Sequence, residues 1–372
     1  MILRHPPFQR LFSTLPARAI APLPCRALLH IHGPDAQKFL HALTAAAIPP
    51  STSAGVYTVF LTPQGRVLFD TFIHPLNHIP AWRSSVSNPD DPAFLIEPDA
   101  AALTDLQAHI GRYKLRSKFL LRPADEWASY ATWGGTGDAL PAITAIRCVD
   151  PRGGGLGGRI VLPASTQAVQ TAAAEDYTVR RMLHGVAEGR DEIVPGVALP
   201  LESNVDLFGG VDFRKGCYVG QELTIRTKHT GVVRKRILPV ALYRAGQQQP
   251  AVLEFHPPAA PSPGLAGRLQ PGATIKKLAT GKRPVGKWLS GVGNIGLALC
   301  RLEATTRIRL GEAEAGFVDG DEFAIEGGAE GAEAVKVKAF VPEWMQGRCG
   351  DVRVHGHECE YEHKHEHQHE QR

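Results

Sequence analysis

Lys215-Gly216-Cys217-Tyr218-Val219-Gly220-Gln221-Glu222 is the stretch on which the reading of this chain turns. Gly216 frees the backbone immediately before the thiol. Over 219–228 the residues suit a helix, with Glu222 and Arg226 spaced i,i+4 as a supporting ion pair. Cys217 then falls at or just before a helix N-terminus, beside Lys215; the helix dipole and a neighbouring cation both favour thiolate over thiol. A thiolate ligates soft metals or attacks electrophiles. Gly220 permits close approach of another backbone or a ligand, Tyr218 offers a stacking face and Gln221 an amide donor and acceptor. By residue type alone, a lone cysteine is more often a small inert core residue. Only wider pattern decides against that role.

Working outward, the segment before the motif mixes helices with hairpins. Apolar residues over 26–32 predict a strand, and Gly33-Pro34-Asp35 turns it into a helix with Phe39, Leu40 and Leu43 on one face. Two β-type runs, 56–61 and 67–73, flank Thr62-Pro63-Gln64-Gly65, a hairpin signal. Residues 75–92 carry four prolines and read as an exposed insertion loop. A strand at 94–96, a helix over 99–110 and a strand at 118–121 follow, then a glycine cluster at 153–158 and a helix over 177–186 with Met182, Leu183 and Val186 facing the core. The glycine cluster lacks the GK[ST] of a phosphate loop and the spacing of a dinucleotide fingerprint, so it reads as a turn. These elements predict an α+β core. After Arg236 the character changes to short β-type runs at 237–242, 252–255, 285–289, 295–300, 322–325 and 334–340, which predict a small β-barrel.

Composition narrows the function class. The chain has 372 residues, 43% hydrophobic and 21% charged, enough for two or three domains. No stretch has the roughly 18 uninterrupted apolar residues of a membrane span. The net charge of +4 lies entirely in the first 34 residues, which hold Arg4, Arg10, Arg18 and Arg26 and no acid. The remaining body is formally neutral and offers no long-range pull on nucleic acid. An acid-free, arginine-bearing N-terminus predicts a mitochondrial transit peptide, and residues 1–24 are assigned to it or to disorder. Six scattered cysteines with no CxxC pair exclude a disulfide-stapled fold and a self-contained zinc or iron–sulfur site of familiar spacing. They suit a reducing compartment.

The eight residues of the motif match the KGCYxGQE signature of the transferase-like, folate-binding YgfZ group, relatives of the glycine-cleavage aminomethyltransferase. Flanking stretches are similar too: Leu199-Pro200-Leu201-Glu202-Ser203-Asn204, Thr227-Lys228-His229-Thr230-Gly231, Gly33-Pro34-Asp35-Ala36 with Phe39-Leu40, Pro63-Gln64-Gly65-Arg66, Tyr113-Lys114-Leu115-Arg116, Asp150-Pro151-Arg152 and Gly296-Leu297-Ala298-Leu299. The similarity covers roughly 25–345. It implies ferredoxin-like units around a folate-type cavity over 25–235, carrying the motif, then a barrel domain over 236–345 and a disordered histidine-rich tail over 346–372.

With an import signal in front, the chain resembles the mitochondrial branch of the family. That implies a factor in late [4Fe–4S] maturation in the matrix, working with A-type carrier proteins and recipient [4Fe–4S] enzymes, and not with nucleic acid. Cys217 would be a cluster ligand shared with a partner, within the motif residues Lys215, Gly216, Tyr218, Gly220, Gln221, Glu222 and Arg226. The alternative is a tetrahydrofolate-dependent aminomethyl or one-carbon transferase. The transferase's Gly-Gly-x-x-Asp-Asp stretch matches Gly65-Arg66-Val67-Leu68-Phe69-Asp70 here, so one carboxylate has become Phe69, which argues against that reaction. Asp70, Tyr113, Arg116 and Lys228 are the candidates for a retained folate-type pocket. The basic run around Lys228 and Arg234-Lys235-Arg236 reads as a solvated face or an anion site. His365-Glu366-His367-Gln368-His369 fits HExxH formally, but lies in a low-complexity tail and reads as chance.

Overall fold

The computed structural model describes residues 15–49, 54–135, 145–166, 170–258, 264–279, 283–310, 316–326 and 334–349. The segment before the cysteine motif holds β1 (Ala19–Pro22), β2 (Leu29–His32), α1 (Ala36–Leu43), β3 (Val56–Leu61), β4 (Val67–Pro75), α2 (Pro80–Arg83), β5 (Ala93–Glu97), α3 (Leu103–Lys114), β6 (Leu120–Pro123), β7 (Trp127–Trp133), β8 (Ile146–Val149), β9 (Gly158–Pro163) and α4 (Ala174–Leu183). Helix α5 (Gln221–Thr230) follows the motif. The remainder is β10 (Lys235–Arg244), β11 (Thr274–Lys277), β12 (Pro284–Val292), β13 (Ile295–Arg301), α6 (Leu302–Thr305), β14 (Phe323–Ile325) and β15 (Val335–Ala339).

Two antiparallel sheets and a barrel organise these elements. The first sheet has the order β3-β4-β5-β2-β6, which sets β2 between β5 and β6 as in a split βαβ unit of ferredoxin-like type. Its outer face is covered by α1 and α3: Phe39, Leu40 and Leu43 pack with Leu106, Ile110, Phe60, Phe69 and Ile73. The periodic residues read from the sequence are therefore the buried ones. The second sheet, β1-β7-β9-β8, was not foreseen. Its strands give little alternation because Trp127–Trp133 buries five successive side chains, so both faces are covered and the period-2 signal disappears. Strand β1 pairs with β7 from Ala19 to Trp133 through Pro22 to Tyr130. The stretch assigned to a leader or disorder thus contributes a strand from Ala19 onward; residues 1–14 lie outside the described residues.

The expected insertion loop at 75–92 is also built in. Leu76, Ile79 and Trp82 are all buried, and the Asn77 side chain donates to Pro89 O and Asp91 O while accepting from Ala93 N.

The closed barrel has the order β10-β13-β12-β11-β14-β15. Strand β10 alternates across it. Leu238, Val240 and Leu242 enter the barrel core, while Ile237 and Ala241 join the apolar cluster of the α+β part. One strand therefore serves two cores. Residues 252–255 form no strand; Leu253 is buried, but the backbone there is held by Asn294, whose amide donates to Glu254 O and accepts from His256 N. The run 346–349, expected to open the tail, is placed as far as Cys349, which packs in the barrel core. The HExxH-like residues lie outside the described residues. An α+β core with a C-terminal β-barrel, as expected, is the architecture.

Candidate functional site

The motif forms a loop clamped onto the first sheet. Lys215 Nζ donates to Thr44 O at 2.8 Å, Ala46 O at 3.1 Å and His41 O, at the C-terminal end of α1 where helix carbonyls favour a cation. It also sits 5.0 Å from the Tyr218 ring centre. Burial pulls its pKa down to about 8. Lys215 is therefore an anchor, with its charge directed at backbone oxygens rather than at the thiol. Tyr218 is buried, so its ring is a packing element and not a platform for an outside ligand. Its hydroxyl has no hydrogen-bond partner among the described residues, and burial raises its pKa to about 12.

Gly220 makes the close approach read from the sequence, and the partner is backbone. A Cβ there would stand 2.2 Å from Thr62 O and 2.9 Å from Leu61 Cβ, with φ at +79°. Gly65 of the facing β3–β4 turn, at φ +80°, meets Gly220 O in return. Two glycines thus let the hairpin and the motif touch. Gln221 Oε1 accepts from Tyr218 N at 3.2 Å and closes the loop. Helix α5 starts at Gln221, so Cys217 stands four residues ahead of the first helical residue. That weakens the dipole argument, since the effect fades beyond the first turn. Glu222 and Arg226 both lie on exposed positions of α5. Cys217 itself is exposed, and a Cβ on Gly216 would meet nothing within 4 Å. The rigid clamps lie on one side of the thiol, and open space lies beside it.

The four pocket candidates do not converge. Asp70 is 3% exposed, its Oδ2 accepting from Arg26 Nη1 at 3.1 Å and its Oδ1 from Gly189 N at 3.1 Å. Neighbouring residues of a strand point to opposite faces, and Phe69 accordingly lies among Phe60 and His109 on the helix side. Tyr113 and Arg116 border a groove near α1. Lys228 is exposed in the last turn of α5, 5.3 Å from the Phe213 ring centre. Among the residues matched to the transferase stretch, the one carboxylate is consumed by internal partners, and this arrangement does not fit a folate-positioning pair. The basic run divides likewise: Arg236 is buried and bidentate on Asp206 at 2.9 and 3.1 Å, donating also to Leu201 O. It holds the 199–206 turn to the barrel and is neither a solvated face nor an anion site.

Between the sheets lies an ionic network that the sequence did not disclose. Arg159 of β9 reaches Glu97 of β5 at 2.8 Å, and Glu97 also pairs with His74 at 2.8 Å. Glu188 accepts from Arg152 at 2.7 Å, Tyr177 OH at 2.8 Å and Arg159. Burial opposes the charged form of Glu97, but Arg159, His74 and Arg26 outweigh it and hold the pKa at about 2. Glu188 is likewise held well below its usual range, burial being overcome by Arg159, Arg152, Arg26 and Arg181. Arg181 continues to Glu192, which accepts from Ser290 of the barrel at 2.6 Å. A cavity of about 360 Å³ borders this network, lined among others by Cys25, Arg26, Glu188 and Ser290. The Cys25 thiol opens on it, yet surrounding protein desolvates it and, with Glu188, raises its pKa. The available sequence signal was a charge inside an apolar strand, as at Arg159. No group of three or more His, Cys, Asp or Glu able to hold a metal converges among the described residues.

Comparisons with known proteins agree with this architecture. Residues 234–347 match the CAF17 C-terminal beta-barrel domain family. A crystal structure of the glycine cleavage system aminomethyltransferase T from Bartonella henselae superposes with a TM-score of 0.57 over 88% of this chain and 87% of that one, at 13% identity, a likeness of fold alone. The iron-sulfur cluster assembly factor IBA57 homologue, mitochondrial, of Chaetomium globosum is 41% identical over 88% of this chain and 83% of its own. The proteins of that name from Neurospora crassa and Pyricularia oryzae are 42% and 44% identical, each over 87% of this chain and over 80% and 84% of their own. The family resemblance read from the cysteine motif and its flanks thus extends over most of the sequence, and the chain belongs to the family of mitochondrial IBA57 iron–sulfur cluster assembly factors.

Proposed function

We propose that this protein acts in the mitochondrial matrix in late [4Fe–4S] cluster maturation, with Cys217 as one ligand of a cluster whose other ligands come from an A-type carrier protein. The observation that carries the reading is the exposed thiol of Cys217 on a loop fixed from behind by Lys215, Gly220 and Gln221. A single thiolate cannot retain a cluster, but it completes a ligand set offered by a second protein. A rigid loop suits that task, since the sulfur is positioned before the partner arrives and less ordering is required on contact. The relatives named as assembly factors support the cargo, and the arginine-bearing N-terminus supports the compartment. Recipient [4Fe–4S] enzymes would take the product.

A tetrahydrofolate-dependent transfer has less support, because Asp70 is tied to Arg26 and Gly189 and Phe69 replaces the second carboxylate. Mixing the protein with a [2Fe–2S]-loaded A-type carrier tests the proposal. Wild type alters or stabilises the visible absorption and Cys217→Ser does not. In cells lacking the endogenous protein, normal aconitase-type activity restored by Cys217→Ala would sink the assignment.

A further inference from the structure

A groove of about 710 Å³ lies beside the cysteine loop, and Val219 of the motif lines it. Only Tyr218 separates Val219 from Cys217, so their Cα atoms are at most about 7 Å apart. Phe39 of α1 and Tyr113 at the end of α3 contribute apolar surface, and Lys38 and Arg116 contribute two exposed cations. Neither cation has a carboxylate partner among the described residues. The one acid of the lining, Asp35, accepts from Lys118 N at 2.7 Å and keeps its charge, so the lining sets two cations against one anion. The turn Lys114-Leu115-Arg116-Ser117-Lys118 adds further positive charge and no acid.

Leu115 is the unusual residue. It is 88% exposed, and its backbone has φ +42° and ψ −110°, at the position that closes α3. Glycine occupies such a conformation at little cost, while leucine is strained there. A large apolar side chain held in a strained conformation, in water and at the lip of a groove, contributes nothing evident to folding. Strain of this kind accumulates where binding uses it.

We propose that this groove receives an acidic segment of the cluster-bearing carrier protein, with an apolar side chain of that segment seated between Phe39, Leu115 and Val219, so that docking sets the carrier's cluster against Cys217. This rests on the function proposed above and names the surface that recruits the partner. Lys38 and Arg116 select acidic chemistry, and the apolar lining supplies affinity that salt cannot screen.

The test uses the full chain and a [2Fe–2S]-loaded A-type carrier, with binding followed by calorimetry at two ionic strengths. Leu115→Gly relieves the strain; it raises the melting temperature and weakens carrier binding at least tenfold. The double variant Lys38→Glu/Arg116→Glu also loses at least tenfold, and its residual binding no longer weakens with added salt. Arg307→Glu, which alters an exposed barrel cation paired with Asp319, is the control and binds as wild type. Wild-type affinity in both groove variants overturns the docking surface while leaving the role of Cys217 standing. A wild-type chain that does not bind the carrier at all overturns both. If the groove variants instead dissolve a dimer of this chain, or a polyglutamylated folate displaces the carrier, the occupant is a second copy or a small anion and the proposal fails.

Discussion

Replacing Glu188 by glutamine keeps the size of the side chain and removes the charge on which Arg152 and Arg159 both close. Both guanidiniums are buried, Arg152 at 0% and Arg159 at 1% exposure. Removing one partner of a buried pair leaves an uncompensated charge, a loss of about 3–5 kcal/mol. At roughly 2–4 °C per kcal/mol for a unit of about 200 residues, the size of the α+β part that holds this network, the midpoint falls by about 6–20 °C. The effect has a definite pH dependence. The folded pKa of Glu188 lies well below its usual value, so its stabilisation is complete above the unfolded carboxylate pKa of about 4.3 and is lost as pH falls below that toward the folded value. Glu97, held at about 2, loses its contribution in the same direction in both proteins. Thermal unfolding followed by circular dichroism at pH 7 and pH 3.5 reads this directly: the gap between wild type and variant is wide at pH 7 and narrows at pH 3.5. Asp90→Asn removes an exposed pair with Arg83 and serves as the reference, costing about 0–1 kcal/mol. A midpoint shift under 2 °C for Glu188→Gln, or a gap that does not change with pH, refutes the view that this network ties the two sheets together.

Further expectations concern the motif. Cys217→Ser changes an exposed side chain, so stability stays within about 0.5 kcal/mol while cluster maturation is lost; a lowered midpoint would mean that the thiol is structural. Gly220→Ala sets a Cβ against Thr62 O at a positive φ, and should cost about 2 kcal/mol or more in denaturant unfolding. Lys215→Met removes the donor shared by three carbonyls and should destabilise by about 1–3 kcal/mol. Maturation activity of Lys215→Met should recover at lower temperature, where the loop refolds, and a loss independent of temperature would point instead to a direct role at the cluster.

Local chemistry made much of the molecule legible. The Phe39, Leu40 and Leu43 stripe, the Thr62-Pro63-Gln64-Gly65 turn and five of the six barrel strands announce themselves by period or by turn residues within a few positions. The four-residue strands β8 and β11 carry too few positions to establish a period. Trp127–Trp133 is longer, but burial on both faces erases its alternation. Site residues followed the same division. Gly220 makes the close backbone approach that its residue type suggested, while the Lys215 ammonium is held by backbone carbonyls and the Tyr218 ring is buried.

The sequence by itself determined the family, through eight contiguous residues and their flanks, and singled out Cys217 as the candidate site residue. It also determined that an α+β part precedes a barrel, because both follow from local periodicity. Tertiary structure alone decided what each charged residue does. Lys215 meets a carbonyl 174 positions away, and Asp70 an amide 119 positions away. Those partners are chosen by how the sheets stack, and no local pattern encodes them. The cysteine was visible in the sequence; the groove beside it, assembled from α1, the turn after α3 and Val219, exists only once the chain has folded.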